Sequence, residues 1–128
     1  MKKLVLCFGS ENEGDRLPFE ICDILRKRLK HHEFVKTQNP FDIANRARKR
    51  QDVVIIDVVK GLSKTRLFSG AEKFAAAKSV TTHDLDVCIV LKMLEATEKR
   101  KFRIIGVPFG SNKGGATKDV ERIISSLF

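Results

Sequence analysis

Val53-Val54-Ile55-Ile56-Asp57-Val58-Val59 is a run of β-branched residues interrupted by a single carboxylate. A continuous apolar run, without polar alternation, is the pattern of a strand covered on both faces, as in a parallel sheet between helices. Toward the amino terminus, Leu4-Val5-Leu6-Cys7-Phe8 has the same character, and Leu17, Ile21, Ile24, Leu25 and Leu29 then recur at helical spacing. A short extended piece around Phe34–Thr37 leads to Asn39-Pro40, an N-cap followed by proline at the first helical position, which predicts a helix near 40–49. Beyond the central run, residues 60–82 read less simply: Thr65–Phe68 suits a short edge strand, and Ala71–Lys78 suits either helix or loop. Thr81-Thr82-His83-Asp84 opens an apolar helix continuing to about Thr97, with Thr81 and Asp84 at capping-box separation. Phe102–Val107 is another buried strand, Pro108–Gly115 a loop, and Thr117 is expected to cap a last helix with Val120, Ile123, Ile124 and Leu127 on one face. The order β-α-β-α-β-(β)-α-β-α predicts an α/β fold. It is a three-layer α/β/α sandwich around a mostly parallel sheet of about five strands, with right-handed crossovers.

A chain of 128 residues is expected to form one domain spanning 1–128, since one core serves ~100–200 residues. With 42% hydrophobic residues it has material for that core without a disulfide or structural metal. No apolar run approaches the ~20 residues that cross a bilayer. Met1-Lys2-Lys3 before Leu4–Phe8 imitates a secretion signal, but the apolar stretch is short and Glu11, Glu13 and Asp15 follow, so a first strand is expected. Cys7, Cys22 and Cys88 are odd in number, widely spaced and set in apolar patterns. Neither a zinc site nor a disulfide framework is indicated, and a cytoplasmic location is expected.

Lys and Arg number 25 against 16 acids, giving a net charge of +9. The excess gathers at Arg26-Lys27-Arg28 with Lys30, at Arg46, Arg48, Lys49 and Arg50, and at Lys99-Arg100-Lys101 with Arg103. The first two clusters fall late in expected helices, where cations complement the helix dipole. A nucleic-acid partner is disfavoured: the chain has no Trp or Tyr, and its Phe residues do not alternate with basic ones as stacking platforms would.

In open α/β sheets, sites form at the carboxyl ends of strands and the amino ends of the helices that follow. Three groups are expected there: the loop Gly9-Ser10-Glu11-Asn12-Glu13-Gly14-Asp15-Arg16, Asp57 at the end of its strand, and His83 at a helix start. A carboxylate ending an apolar run is partly desolvated and needs a donor, a cation or a metal. Asp57 either serves a site or caps a nearby helix, and His83 is either a ligand or a solvated histidine at a helix start. The spacing Gly9…Gly14 imitates a phosphate loop, but the Lys-Ser/Thr ending is missing and Glu11, Glu13 and Asp15 would repel a phosphate. The same acids would attract a divalent cation, and an imidazole partner favours nickel, zinc or iron over magnesium. Gly110–Gly115 also lacks the phosphate-loop ending and is expected to be a flexible connection.

The strand Leu4–Phe8, the loop Gly9–Arg16, the strand ending Val54-Ile55-Ile56-Asp57, the helix start Thr82-His83-Asp84-Leu85 and the strand Arg103–Pro108, in that order, resemble the nickel-iron hydrogenase maturation endopeptidases. The resemblance implies an α/β/α sandwich that removes the C-terminal extension of a hydrogenase large-subunit precursor after nickel has been inserted. It implies nickel as the metal, carried by this protein or by its substrate. In that family a loop acid, a strand-end aspartate and a helix-start histidine contact the metal; the last two fall on Asp57 and His83. The loop acid falls on Arg16, and the Pro-Gly turn common after the aspartate is absent from Lys60–Arg66. A guanidinium ~5 Å from a divalent ion is repelled by roughly 5–7 kcal/mol at an effective dielectric near 20. Arg16 therefore points away while Asp15, Glu13 or Glu11 supplies the missing oxygen, or it pairs with Asp57 and holds an empty pocket shut. Asp15 is taken as third ligand or as the carboxylate assisting water. The rival reading is a non-catalytic relative that binds a metal or a partner protein through the same cleft.

Overall fold

In the computed structural model, which describes residues 2–12, 14–48, 50–78 and 82–127 and residues 82–86 through their backbone alone, β1 (Leu4–Phe8) and β3 (Val53–Val59) are buried at every position. Their side chains alternate between two apolar layers, so each run needs cover on both sides. β1 pairs in parallel with β2 (Glu33–Thr37) and with β3, and β3 pairs in parallel with β5 (Arg103–Pro108). β4 (Arg66–Ser69) lies antiparallel along β5 as an edge strand. The strand order is β2-β1-β3-β5-β4, with Leu4 opposite Val53 and Ile55 opposite Ile104.

Two helix layers cover the sheet. α1 (Leu17–Arg28) and α5 (Lys113–Ser126) pack Leu17, Ile21, Leu25, Val120 and Ile124 against Val5, Ile56 and Val107. α2 (Pro40–Ala47), α3 (Ala71–Ala77) and α4 (Thr82–Glu98) pack Ile43, Phe74, Val87 and Leu91 against Leu6, Ile55 and Ile104. The expected α/β/α sandwich is present. Among the described residues no helix is long and apolar enough to cross a membrane.

The ambiguous stretch resolves into β4 and α3, joined at Gly70, whose φ of +108° is left-handed backbone suited to glycine. Glycine offers no side-chain cap, and Glu95 of α4 supplies one: its carboxylate accepts from Ala71 N at 3.0 Å and from Phe102 N at 2.8 Å. That contact spans 24 residues and carries no local signal. Asn39 caps α2 as expected, its Oδ1 accepting from Phe41 N at 2.9 Å.

α5 departs from expectation. It starts at Lys113 and is capped by Asn112, whose Oδ1 accepts from Gly115 N at 3.1 Å. Gly114 and Gly115 thus belong to the first turn, and the connection before them is tied down by Ser111 Oγ donating to Pro108 O at 2.7 Å. Thr117 is buried and donates to Lys113 O at 2.7 Å. The cap lies earlier because Asn112 has the extended backbone an N-cap requires. The expected Thr81–Asp84 capping box lies outside the described residues.

His32 joins the approach to β2 to the start of β1: its Nδ1 accepts from Lys3 N at 3.1 Å. Burial lowers its pKa from the ordinary 6.5, and the neighbouring His31 and Lys3 add to the effect. A histidine depressed in the folded state is protonated first in the unfolded one, so stability falls as pH drops below about 6.5. Urea denaturation from pH 7.5 to 5 should show this loss, and His32→Asn should flatten it. Asn112→Ala should lower stability by about 1 kcal/mol in the same assay, the usual worth of an N-cap.

Candidate functional site

The chain leaves β1 toward β2 on one side and returns to β3 on the other, so the winding reverses between β1 and β3. Ligand crevices in open α/β sheets form at such points, outside the carboxyl ends of the strands. The loop after β1 closes on itself there: Ser10 N donates to Asp15 O at 3.0 Å and Asp15 N to Asn12 O at 3.1 Å. A Cβ on Gly9 would lie 2.4 Å from Asp15 O, so only glycine admits this closure. Gly14 has φ +89°, and a Cβ there would lie 2.2 Å from the Phe109 ring. Phe109 follows β5, and Lys60 Nζ, after β3, stands 5.1 Å from its ring centroid. The two glycines therefore fit the β1 loop against the loops beside it.

Asp57 is the fifth of seven residues in β3 rather than its last: Val58 and Val59 continue the strand opposite Val107 and Pro108. The strand runs on because Val58 and Val59 are apolar and have a partner strand for their full length. Asp57 shares the face of Val53, Ile55 and Val59, under the α2–α3–α4 layer, and is only 3% exposed. Its Oδ1 accepts from Val58 N at 2.8 Å, and its Oδ2 receives Lys78 Nζ at 2.5 Å.

Lys78 is the C-cap residue of α3 and lies 7% exposed. One helical turn separates it from Phe74, which puts both on the same face. Its Nζ stands 5.1 Å from the Phe74 centroid, and Phe74 in turn meets Phe68 of β4 edge-on at 5.6 Å. The ammonium therefore sits between a carboxylate and an aromatic face. Opposite Asp57, a Cβ on Gly106 would lie 2.8 Å from the Phe68 ring, so the glycine makes room for this stack.

The other expected residues are placed as follows. Asp15 is half-buried in the closed loop at the carboxyl edge, and its carboxylate makes no ion pair among the described residues. His83 lies in the first turn of α4. The other end of α4 leads into the start of β5, so its first turn points toward the same carboxyl edge; the His83 side chain lies outside what is described. Glu11 is exposed, and Glu13 lies outside the described residues. Arg16 is the exposed N-cap residue of α1 and lines a pocket of about 340 Å³ with Gly14, Glu20, Ser111 and Lys113. That pocket belongs to the α1–α5 side, so the cation on Asp57 is Lys78 and not Arg16. Lys78 is the residue that reading the sequence missed.

The expected metal set includes His83, whose side chain lies outside what is described. Among the described residues no group of three His, Cys, Asp or Glu side chains converges, and each Asp57 oxygen accepts a hydrogen bond. A second chemical cluster sits beneath α1, where Cys7 and Cys22 are buried as free thiols. A hydrogen bond from Cys7 brings Cys22 down to about 7, with Arg26 Nη2 3.5 Å from its sulfur assisting, while burial pushes Cys7 up. Sealed in the core on the opposite face from Asp57, the two do not join the crevice.

This arrangement has solved counterparts. The hydrogenase maturation protease HybD from Thermococcus kodakarensis superposes with a TM-score of 0.73 at 23% identity, over 99% of each chain. The chain has the fold of the nickel-iron hydrogenase maturation proteases. The E. coli maturating endopeptidase HybD aligns at TM-score 0.76 and 17% identity over 99% of this chain and 92% of its own. The protease HycI from Thermococcus kodakarensis gives 0.67 and 19% over 94% and 89%. No protein-family model matches the chain, and no curated protein matches it in sequence.

Removing one member of a buried ion pair strands the other, at a typical cost of about 3–5 kcal/mol, whereas an apolar replacement of both is often neutral. Lys78→Ala should therefore be strongly destabilised in urea denaturation. The double variant Lys78→Met with Asp57→Leu should recover most of that loss.

Proposed function

We propose that this chain is a cytoplasmic endopeptidase of the nickel-iron hydrogenase maturation type, which removes the C-terminal extension of a nickel-loaded large-subunit precursor. The observation that carries the reading is a fold shared over the full length of a maturation protease, with the Asp15 loop and Asp57 at its β1–β3 switch point. Nickel enters as cargo of the substrate and reports that the precursor is ready to be cut.

Cleaving a peptide bond requires a group that directs water at the carbonyl. Asp15 suits this task, since it is half-exposed at the crevice and has no ion-pair partner among the described residues. His83, in the first turn of α4, would contact the precursor's nickel. Asp57 serves as a positioning residue, holding Lys78 and with it the end of α3 against the sheet. Cys7 and Cys22, buried as free thiols, suit a reducing compartment.

Arg16 at the place of the loop acid favours a second reading, in which the same cleft binds the precursor without cutting it. Incubation with nickel-loaded and nickel-free precursors, followed by mass spectrometry of the C-terminus, separates the two. The endopeptidase reading expects cutting only of the loaded form, and a fall of about 10²–10⁴-fold in Asp15→Asn, the usual contribution of a general base. Capture of the precursor without cutting would establish the second reading, and cutting unchanged in both Asp15→Asn and His83→Ala would remove the assigned site.

A further inference from the structure

We infer that the Lys78 ammonium occupies the position at Asp57 that a metal ion would need, so that this chain carries a built-in cation there and does not itself bind nickel through Asp57. The inference rests on the proposed function only for the location of the cleft.

Three observations carry it. The two side chains meet at 2.5 Å with exposures of only 3% and 4%, so solvent does not screen the pair. The remaining carboxylate oxygen is taken by Val58 N at 2.8 Å. An incoming ion would therefore have to break two buried contacts and displace an ammonium packed 5.1 Å from the Phe74 ring centroid. Third, the Lys78 ammonium faces the Phe74 ring at 5.1 Å, a surface that favours a cation already in place. An ammonium at this position works against a metal, for a divalent ion gains from added anions and loses against added cations.

The consequence is selectivity of a particular kind. A cleft that held nickel by itself could be filled by free metal in the cell. One that is neutralised in advance can respond only to nickel that arrives on a protein.

The test uses the full chain without substrate, so its outcome is independent of whether the protein cuts. Nickel is titrated into the 15N-labelled protein, and paramagnetic broadening is read at the Val58 amide, which donates to Asp57. The inference expects that amide to stay sharp through stoichiometric nickel. Broadening there, suppressed in Asp57→Asn, would overturn it while leaving the endopeptidase reading intact. In calorimetry, Lys78→Met should gain nickel affinity at least tenfold, and Asp57→Asn added to it should abolish the gain. Absence of any gain in a folded Lys78→Met protein would also overturn it. If that variant does not fold, the titration of the unmodified chain decides. A precursor left uncut would remove the endopeptidase reading and leave this inference standing.

Discussion

A carboxylate in the middle of an apolar sheet must be neutralised where it stands. Asp57 has Val and Ile on its own strand, and helices close over its face, so water cannot do the work. The demand fixes the surroundings in order: an ammonium within reach, a helix ending where that ammonium can enter, and an aromatic ring beneath it. α3, only seven residues long, ends at Ala77 with Lys78 as its C-cap, and Phe74 one turn earlier supplies the ring. Its other end is secured by Glu95 from α4, so a helix too short to persist alone is clamped at both termini by charged side chains. A buried pair of this kind is weak evidence for stability, because each ion is costly to desolvate. What it secures is placement: the end of α3 and the chain that leads to His83 start from one defined point on the sheet.

The part of the fold legible in the sequence is the part governed by periodicity. Continuous apolar runs mark β1, β3 and β5, and helical spacing marks α1 and the last helix. Asn39-Pro40 marks α2 through local hydrogen-bond chemistry. What escaped was set by contacts distant along the chain. Thr65–Phe68 was legible as an edge strand, which β4 is, but whether Ala71–Lys78 forms helix or loop was not, because α3 depends on Gly70 and on the distant Glu95. The α5 cap was misplaced because Thr117 and Asn112 are both competent cap residues and only backbone conformation separates them. At the site, Asp57 stood out because a carboxylate among β-branched residues needs a partner, and position alone brought the Gly9–Arg16 loop to the same edge. The partner could not be read: donor, cation and metal all satisfy the requirement, and a lysine after three alanines looks like an ordinary helix end.

Part of the positive charge in the basic clusters is committed to structure. Arg26 donates to Phe34 O at 3.2 Å, tying α1 to β2, and Arg100 donates to Ala47 O at 3.0 Å, tying the approach to β5 to the end of α2. Arg46 pairs with Asp42 one turn away, and Arg28 reaches Glu121 across from α1 to α5. Exposed pairs like the last two contribute little stability individually. Their effect is to link neighbouring elements, α1 to α5 across the helix layer and one turn of α2 to the next.

An ammonium and a metal ion make different demands on a buried carboxylate such as Asp57. A metal site asks for several deprotonated ligands held in one geometry, and losing any one of them weakens the rest. A lysine asks for one carboxylate and a dry pocket, and the pocket here is made by Phe74 together with residues that already belong to the core. The Lys78 pair also leaves Arg16 no part to play at Asp57: the guanidinium lines a pocket on the α1–α5 side, so the two cations act on opposite faces of the sheet.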